Sequence, residues 1–188
     1  MHRKRMIDTF KDAEALGPFD EYPVLVAGID PQLHLSRNDR PQPFYLICGK
    51  DSLLVQMSGT ATLSLKHPDV VNYRLIPGDF VYVPAGTPHR LIPNGVCINH
   101  RYKAENAGLE GVAWYCPQCG KELHRDVWDT QTELPQEAYA RTTAQFNAKA
   151  ELRHCSSCGA EHPLLELNEF RWASVAKEVR AATAAQPA

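Results

Sequence analysis

Between Val24 and about Tyr102, apolar residues come in short runs separated by turn-forming residues. The runs are VLVAGI (24–29), PFYLIC (43–48), SLLVQM (52–57), ATLSLK (61–66), YRLI (73–76), DFVYVP (79–84), HRLI (89–92) and VCINHRY (96–102). They are rich in β-branched and aromatic residues, and Gly, Pro, Asn and Asp stand between them, which is the signature of strands joined by tight turns. Short strands at this spacing predict a mainly β protein, a small antiparallel barrel or jelly roll. The pattern then changes. Residues 135–152 and 164–183 carry helical periodicity, and residues 1–20 read as a short helix or arm ending near Gly17-Pro18. The expected organisation is an N-terminal arm (1–23), a β barrel (24–102), a linker (103–113), a cysteine-bearing segment (114–163) and a C-terminal helix and tail (164–188).

Composition narrows the classes of function. The chain has 188 residues, 44% of them hydrophobic and 22% charged, which suits one domain with a small appendage and a core that needs no disulfide staples. The net charge of −2 argues against nucleic acid as a partner, because a phosphate-backbone binder needs a strongly basic face. No apolar run approaches the roughly 18 residues of a membrane span, so no membrane partner is expected. The basic N-terminus, MHRKRMIDTFKDAEA, lacks the apolar stretch of a secretory signal. A cytoplasmic location is the expectation.

The six cysteines change the picture further. Four form two knuckles, Cys116-Pro-Gln-Cys119-Gly120 and Cys155-Ser-Ser-Cys158-Gly159. Two C-x-x-C-G units supply four thiolates, a tetrahedral donor set for Zn or Fe. A thioredoxin-like motif predicts one such pair, and disulfides are rare in a reducing compartment. A closed four-thiolate site leaves no open position for substrate, so its expected role is structural. Cys97 reads as core, and so by default does Cys48.

The segment Gly78-Asp-Phe-Val-Tyr-Val-Pro84-Ala-Gly86-Thr-Pro-His89 has the form G-x5-P-x-G-x2-H. It resembles the second motif of the cupin superfamily, in which the His points into the barrel. Together with Val55–Ala61, Trp114-Tyr115-Cys116-x-x-Cys119-Gly120, and Cys155-x-x-Cys158-Gly159 with His162-Pro163, it makes the chain similar to bacterial 3-hydroxyanthranilate 3,4-dioxygenases. That resemblance implies a cupin barrel followed by a rubredoxin-like four-Cys knuckle. It also implies Fe(II) on two His and one Glu, and ring opening of an aminophenol carboxylate with O₂.

The sequence departs from that pattern at the iron. His89 matches the second His. The Glu position is Ser52, within Asp51-Ser52-Leu53-Leu54-Val55-Gln56, and the first His position is Leu46 in ungapped register, with His34 and Asn38 in reach only through an insertion. The family's Glu-Arg pair ahead of the W-Y-C knuckle becomes His100-Arg101. His89 and His100 are therefore the candidate catalytic pair, able to act as acid and base without a metal. With Cys48 or Asp51 they form a weaker candidate set for a barrel metal. Arg37 and Arg40 lie where the family binds the substrate carboxylate, and with Gln56 they are candidate substrate-binding residues. Trp114, Trp128 and Trp172 read as packing residues, and His124, His154 and His162 as neighbours of the four-Cys site.

The leading expectation is a dioxygenase-like cupin with a rebuilt pocket, acting on a small aromatic or heteroaromatic carboxylate without the iron triad. The alternatives are Fe(II)-dependent extradiol ring cleavage at a reshaped site, and a non-catalytic ligand-binding or scaffolding cupin. A homodimer is expected by analogy with the fold.

Overall fold

The computed structural model describes residues 5–66 and 69–185. Residues 2–4 of the basic arm and the last three residues of the tail lie outside the described residues. A short helix α1 (Thr9–Ala13) leads into strands β1 (Tyr22–Pro23), β2 (Gln32–Asn38), β3 (Tyr45–Ile47), β4 (Ser52–Ser58), β5 (Ala61–Lys66) and β6 (Val70–Leu75). Then follow β7 (Phe80–Val83), β8 (His89–Pro93), β9 (Cys97–Lys103), β10 (Leu109–Tyr115) and β11 (Glu122–Asp129). The helices α2 (Pro135–Ala148), α3 (Ala150–Arg153) and α4 (Trp172–Ala184) complete the chain.

The strands form two antiparallel sheets, in the orders β1-β2-β9-β4-β7 and β11-β10-β3-β8-β5-β6. Their inner faces share one core: Leu54, Val83 and Cys97 of the first sheet meet Leu46, Leu63, Leu91 and Val112 of the second. This is a cupin jelly roll. That is the jelly roll the sequence reading expects, and its two sheets do not close into one continuous barrel, because both end in edge strands.

The period-two pattern of β9 explains how the first sheet is filled. Cys97, Asn99, Arg101 and Lys103 face inward, where each makes its hydrogen bonds. Ile98 and Tyr102 face the opposite way. That outer face is covered by the N-terminal arm and α4, whose Ala13, Leu16, Tyr22, Val175 and Val179 pack on Leu33 and Leu35 of β2. The β1-β2-β9 part of the sheet is therefore buried on both sides, and the arm is part of the fold.

Several boundaries differ from the sequence reading. The run 24–29 is irregular, with a turn at 27–28, and the strand there is β2 at Gln32–Asn38. Residues 109–113, read as linker, begin β10, which pairs with β3 and β11 and extends the second sheet into the cysteine segment. The C-terminal helix starts only at Trp172. Trp114, Trp128 and Trp172 are buried with Phe44, Tyr139 and Phe146 in an aromatic seam between the second sheet and α2. Trp114 stacks on Phe146 at 4.3 Å between centroids, and its indole N–H donates to the Pro43 carbonyl.

Candidate functional site

Two regions gather chemistry-bearing side chains. The first is the pair of cysteine knuckles. Cys116, at the end of β10, and Cys119 lie beside Cys155 and Cys158, and all four sulfurs fall within 4.8 Å of one another. Two of the edges are 3.5 Å (Cys116 to Cys158) and 3.6 Å (Cys119 to Cys155). A tetrahedron of metal–sulfur bonds of about 2.3 Å has edges near 3.8 Å, so this donor set fits Zn or Fe.

The knuckles repeat one backbone design. The Gly120 N–H donates to Cys116 O and the Gly159 N–H to Cys155 O, and each Gly holds a positive φ, 71° and 74°, that other residues rarely adopt. Backbone N–H groups of Cys119 and Gln118 then point at the Cys116 sulfur and draw its pKa down to about 6. Cys158 gains a similar N–H from Ala160, yet the neighbouring thiols outweigh it and push it to about 12. Four thiolates this close repel one another, and a divalent cation removes that repulsion. Lys66 of β5 donates to Gly120 O at 2.7 Å and lies 4.0 Å over the Tyr115 ring, tying the first knuckle to the jelly roll. His124 stacks on Trp114 and His162 edges onto Phe146, so both serve packing beside the four-Cys cluster.

The second region is the jelly-roll interior. His89, fully buried at the start of β8, donates from Nδ1 to the Thr87 carbonyl at 2.9 Å. Its Nε2 is thereby the acceptor, and it faces Arg101 Nη1 at 2.6 Å. Burial, with Arg101 second, holds the His89 pKa down at about 3, so the ring is neutral at physiological pH. Arg101 Nε in turn donates to Glu21 Oε1 at 2.9 Å, and Tyr139 OH donates to Glu21 Oε2 at 3.2 Å. Glu21 comes from the segment before β1, where Phe19 and Glu21 both hold left-handed backbone (φ 51° and 42°). Gln136 of α2 pins that segment by donating to the carbonyls of Asp20 and Glu21. Two non-glycine residues in this conformation are strained, and strain persists only where the surroundings enforce it.

This interior does not fit the iron site implied by the resemblance. Ser52 and Leu46 supply no strong ligand, and the inward-facing Nε2 of His89 already accepts from a guanidinium. Among the described residues, the cysteines form the only cluster of three or more potential ligands. The space left beside Arg101, bounded by Phe19, Glu21, Leu54 and Leu91, is about 10 Å³, too small to seat an aromatic acid.

The other candidates fall as follows. His100 does not meet His89: it lies on the outer face of β9, 3.0 Å from the Thr9 hydroxyl, because neighbouring strand residues point to opposite faces. Arg101, one residue on, takes the inward place. Arg37 shares the outward parity of Leu33 and Leu35, and Arg40 forms an ion pair with Asp39 in the following turn, so neither reaches the interior. Asp51 is exposed and accepts from the Ala85 N–H, capping the turn before His89. Gln56 is inside: its carbonyl accepts from Asn99 at 2.6 Å and its amide donates to Ser58 O. Cys48 is buried, and burial raises its pKa to about 11, so it is a thiol.

Sequence reasoning missed Glu21, Lys103 and Glu110. Lys103 Nζ donates to both oxygens of Glu110 (3.1 and 2.9 Å), with both side chains buried. The inward parity of β9 was the available signal for Lys103; nothing local marks Glu21.

The fold is a cupin-type jelly roll that carries a G-x5-P-x-G-x2-H turn and a four-Cys knuckle. No protein-family model matches the chain. In sequence it is similar to 3-hydroxyanthranilate 3,4-dioxygenases: 28% identical over 87 residues to that of Bacillus thuringiensis, covering 44% of this chain and 46% of the relative. It is 26% identical over 153 residues to that of Xanthomonas oryzae, covering 76% of each. The first match thus spans about half the relative's length. Among solved structures, it is similar to hydroquinone 1,2-dioxygenase PnpCD (TM-score 0.47, 14% identity, 52% of this chain and 71% of that one). It is also similar to a cupin-2 domain protein of Shewanella frigidimarina (TM-score 0.45, 15% identity, 53% and 94%).

Proposed function

We propose that this chain is a 3-hydroxyanthranilate dioxygenase-like cupin whose interior has exchanged the iron site for a buried ion network. In this reading it takes a small aromatic or heteroaromatic carboxylate outside the closed space beside Arg101, by chemistry that does not use the family's Fe(II) triad. The observation that carries it is the contact of Arg101 with the His89 imidazole, with Glu21 neutralising the guanidinium. A cation held at that spot opposes a metal ion by direct repulsion. The four-Cys centre holds Zn or Fe and acts on the fold: it clamps the end of β10 to the segment after α3. Four thiols in that cluster suit a reducing cytoplasm.

The test is oxygen consumption with 3-hydroxyanthranilate after the protein has been loaded with Fe(II) under anaerobic conditions. The reading predicts no uptake above the rate of free Fe(II). Stoichiometric uptake with ring-opened product overturns it in favour of extradiol cleavage at a reshaped site.

Exposed apolar residues on the edge strands, Val70 and Tyr73 of β6 with Phe80 and Tyr82 of β7, support a homodimer. Sedimentation equilibrium at micromolar concentration tests that part; a mass of one chain contradicts it.

A further inference from the structure

A cleft of about 320 Å³ lies outside the jelly-roll interior, between the turn after β2, Arg90 of β8 and the irregular segment 162–170 ahead of α4. That volume suits a small metabolite. Pro41, Pro43, Leu165 and Phe170 give it apolar walls. The walls are preset. Asn147 of α2 bonds both the N–H and the carbonyl of Leu165 at 2.8 Å, and Phe170 stacks on Trp172 at 4.5 Å between centroids. A ligand therefore meets a formed surface and does not have to order it.

Arg90 supplies the chemistry. Strand alternation turns it away from the core that takes His89 and Leu91. Its Nε donates to the Gln42 carbonyl at 2.6 Å, and buried Gln42 is itself fixed to Leu91 through its main-chain N–H and its side-chain oxygen. The guanidinium plane is thus held, and among the described residues no acceptor meets its two terminal nitrogens. The side chain is half-buried, and burial draws its pKa down, with no carboxylate offsetting the charge. A guanidinium stays protonated all the same.

The other groups lining the cleft are already balanced. Arg40 is paired with Asp39 at 2.7 Å and feels Glu166 as well. Burial chiefly holds the His162 pKa below its ordinary value, so that ring adds no charge. The cleft therefore lacks one negative charge, beside Arg90. A carboxylate supplies one charge and matches the two terminal nitrogens with two parallel N–H···O bonds. A phosphate brings more charge than Arg90 alone meets. The proline and phenylalanine walls favour a flat hydrocarbon body on the same molecule.

We propose that this cleft binds a small aromatic monocarboxylate, with its carboxylate on Arg90 and its ring against the walls. The aromatic class rests on the proposed function, to which the cleft gives a place outside the interior; the site rests on the uncompensated Arg90.

Isothermal titration of the full chain tests it with four probes: benzoate, benzamide, acetate and inorganic phosphate. The expected result is saturable binding of benzoate. Benzamide keeps the ring without the charge and acetate the charge without the ring, and each is expected to bind about tenfold more weakly or worse. Arg90→Gln is expected to lose about tenfold or more, the worth of a charge-assisted hydrogen bond. Because Arg90 also ties down Gln42, a second variant gives an independent reading. Leu164 lines the cleft and is 63% exposed, so Leu164→Asp places an acid there with the melting temperature kept. Benzoate binding is expected to fall by a similar factor. Absence of saturable benzoate binding overturns the proposal, as does equal binding of benzamide or phosphate, or full binding in Leu164→Asp. The two readings fail separately. Fe(II)-dependent oxygen uptake with 3-hydroxyanthranilate contradicts the closed interior, whereas benzoate binding that ignores Arg90→Gln contradicts this site and leaves the interior as described.

Discussion

Glu21 and Arg101 carry the argument at the scale of single residues. Each is charged and almost wholly enclosed, with side-chain exposures of 4% and 3%. Breaking such a pair from one side leaves the other ion unpaired, at a cost of about 3–5 kcal/mol. Arg101→Met and Glu21→Gln are each expected to destabilise the protein by about that much in urea unfolding, while the double variant recovers most of the loss. Additive losses contradict a specific pair. His89 sets a pH dependence. Its folded pKa of about 3 lies below the ordinary value of 6.5, so the unfolded chain binds the extra proton. Stability from this group is complete above about pH 6.5 and falls as the pH drops toward 3. The expected slope is about 1.4 kcal/mol per pH unit across that window. His89→Gln flattens it, and unfolding midpoints from pH 7 to 4 report the change. His100 and His162 are shifted the same way by burial, so the variant removes part of the slope.

Strand parity decides which candidates the fold brings together. His89 was legible because Gly78, Pro84 and Gly86 fix the turn before it. Its partner was not, because neighbouring residues of a strand face opposite ways and an ungapped comparison cannot tell His100 from Arg101. The strand at 32–38 was missed for a related reason. Its inward positions are His34, Ser36 and Asn38, polar residues that break the apolar signal in a strand buried on both faces. The knuckles were fully legible, since their spacing and glycines are local. Glu21 was invisible, because its meaning comes from contacts 80 and 118 residues away. Packing between elements is just as exacting at Gly49, after β3. A Cβ there would lie 2.1 Å from the Leu109 carbonyl oxygen of β10. Gly49→Ala should cost about 1–3 kcal/mol by forcing the two strands apart. An unchanged denaturation midpoint would show that the strands can yield.

At the scale of the whole molecule, the jelly roll and the knuckle share one hydrophobic core. β10 belongs to the second sheet and ends at Tyr115, next to Cys116, and the aromatic seam of Trp114, Phe146 and Tyr139 joins that sheet to α2. A metal ion at the cysteines would therefore stabilise the jelly roll as well as the knuckle. A strong chelator is expected to lower the melting temperature of the single transition. Two separate transitions, with the jelly roll unmoved, would contradict that coupling. Among the described residues no helix is long and apolar enough to cross a membrane, and the exposed edges β6 and β7 are where a second copy would add.

The central claim is that metal belongs to the cysteines and the jelly-roll interior holds an ion network in its place. Elemental analysis of the purified protein and of the Cys116→Ser/Cys155→Ser variant, both folded and saturated with Fe(II) or Zn(II), tests it directly. The predicted result is one metal ion per chain in the wild type and none in the variant. Two ions per chain, one of which survives loss of the cysteines and is released by His89→Ala, would contradict it.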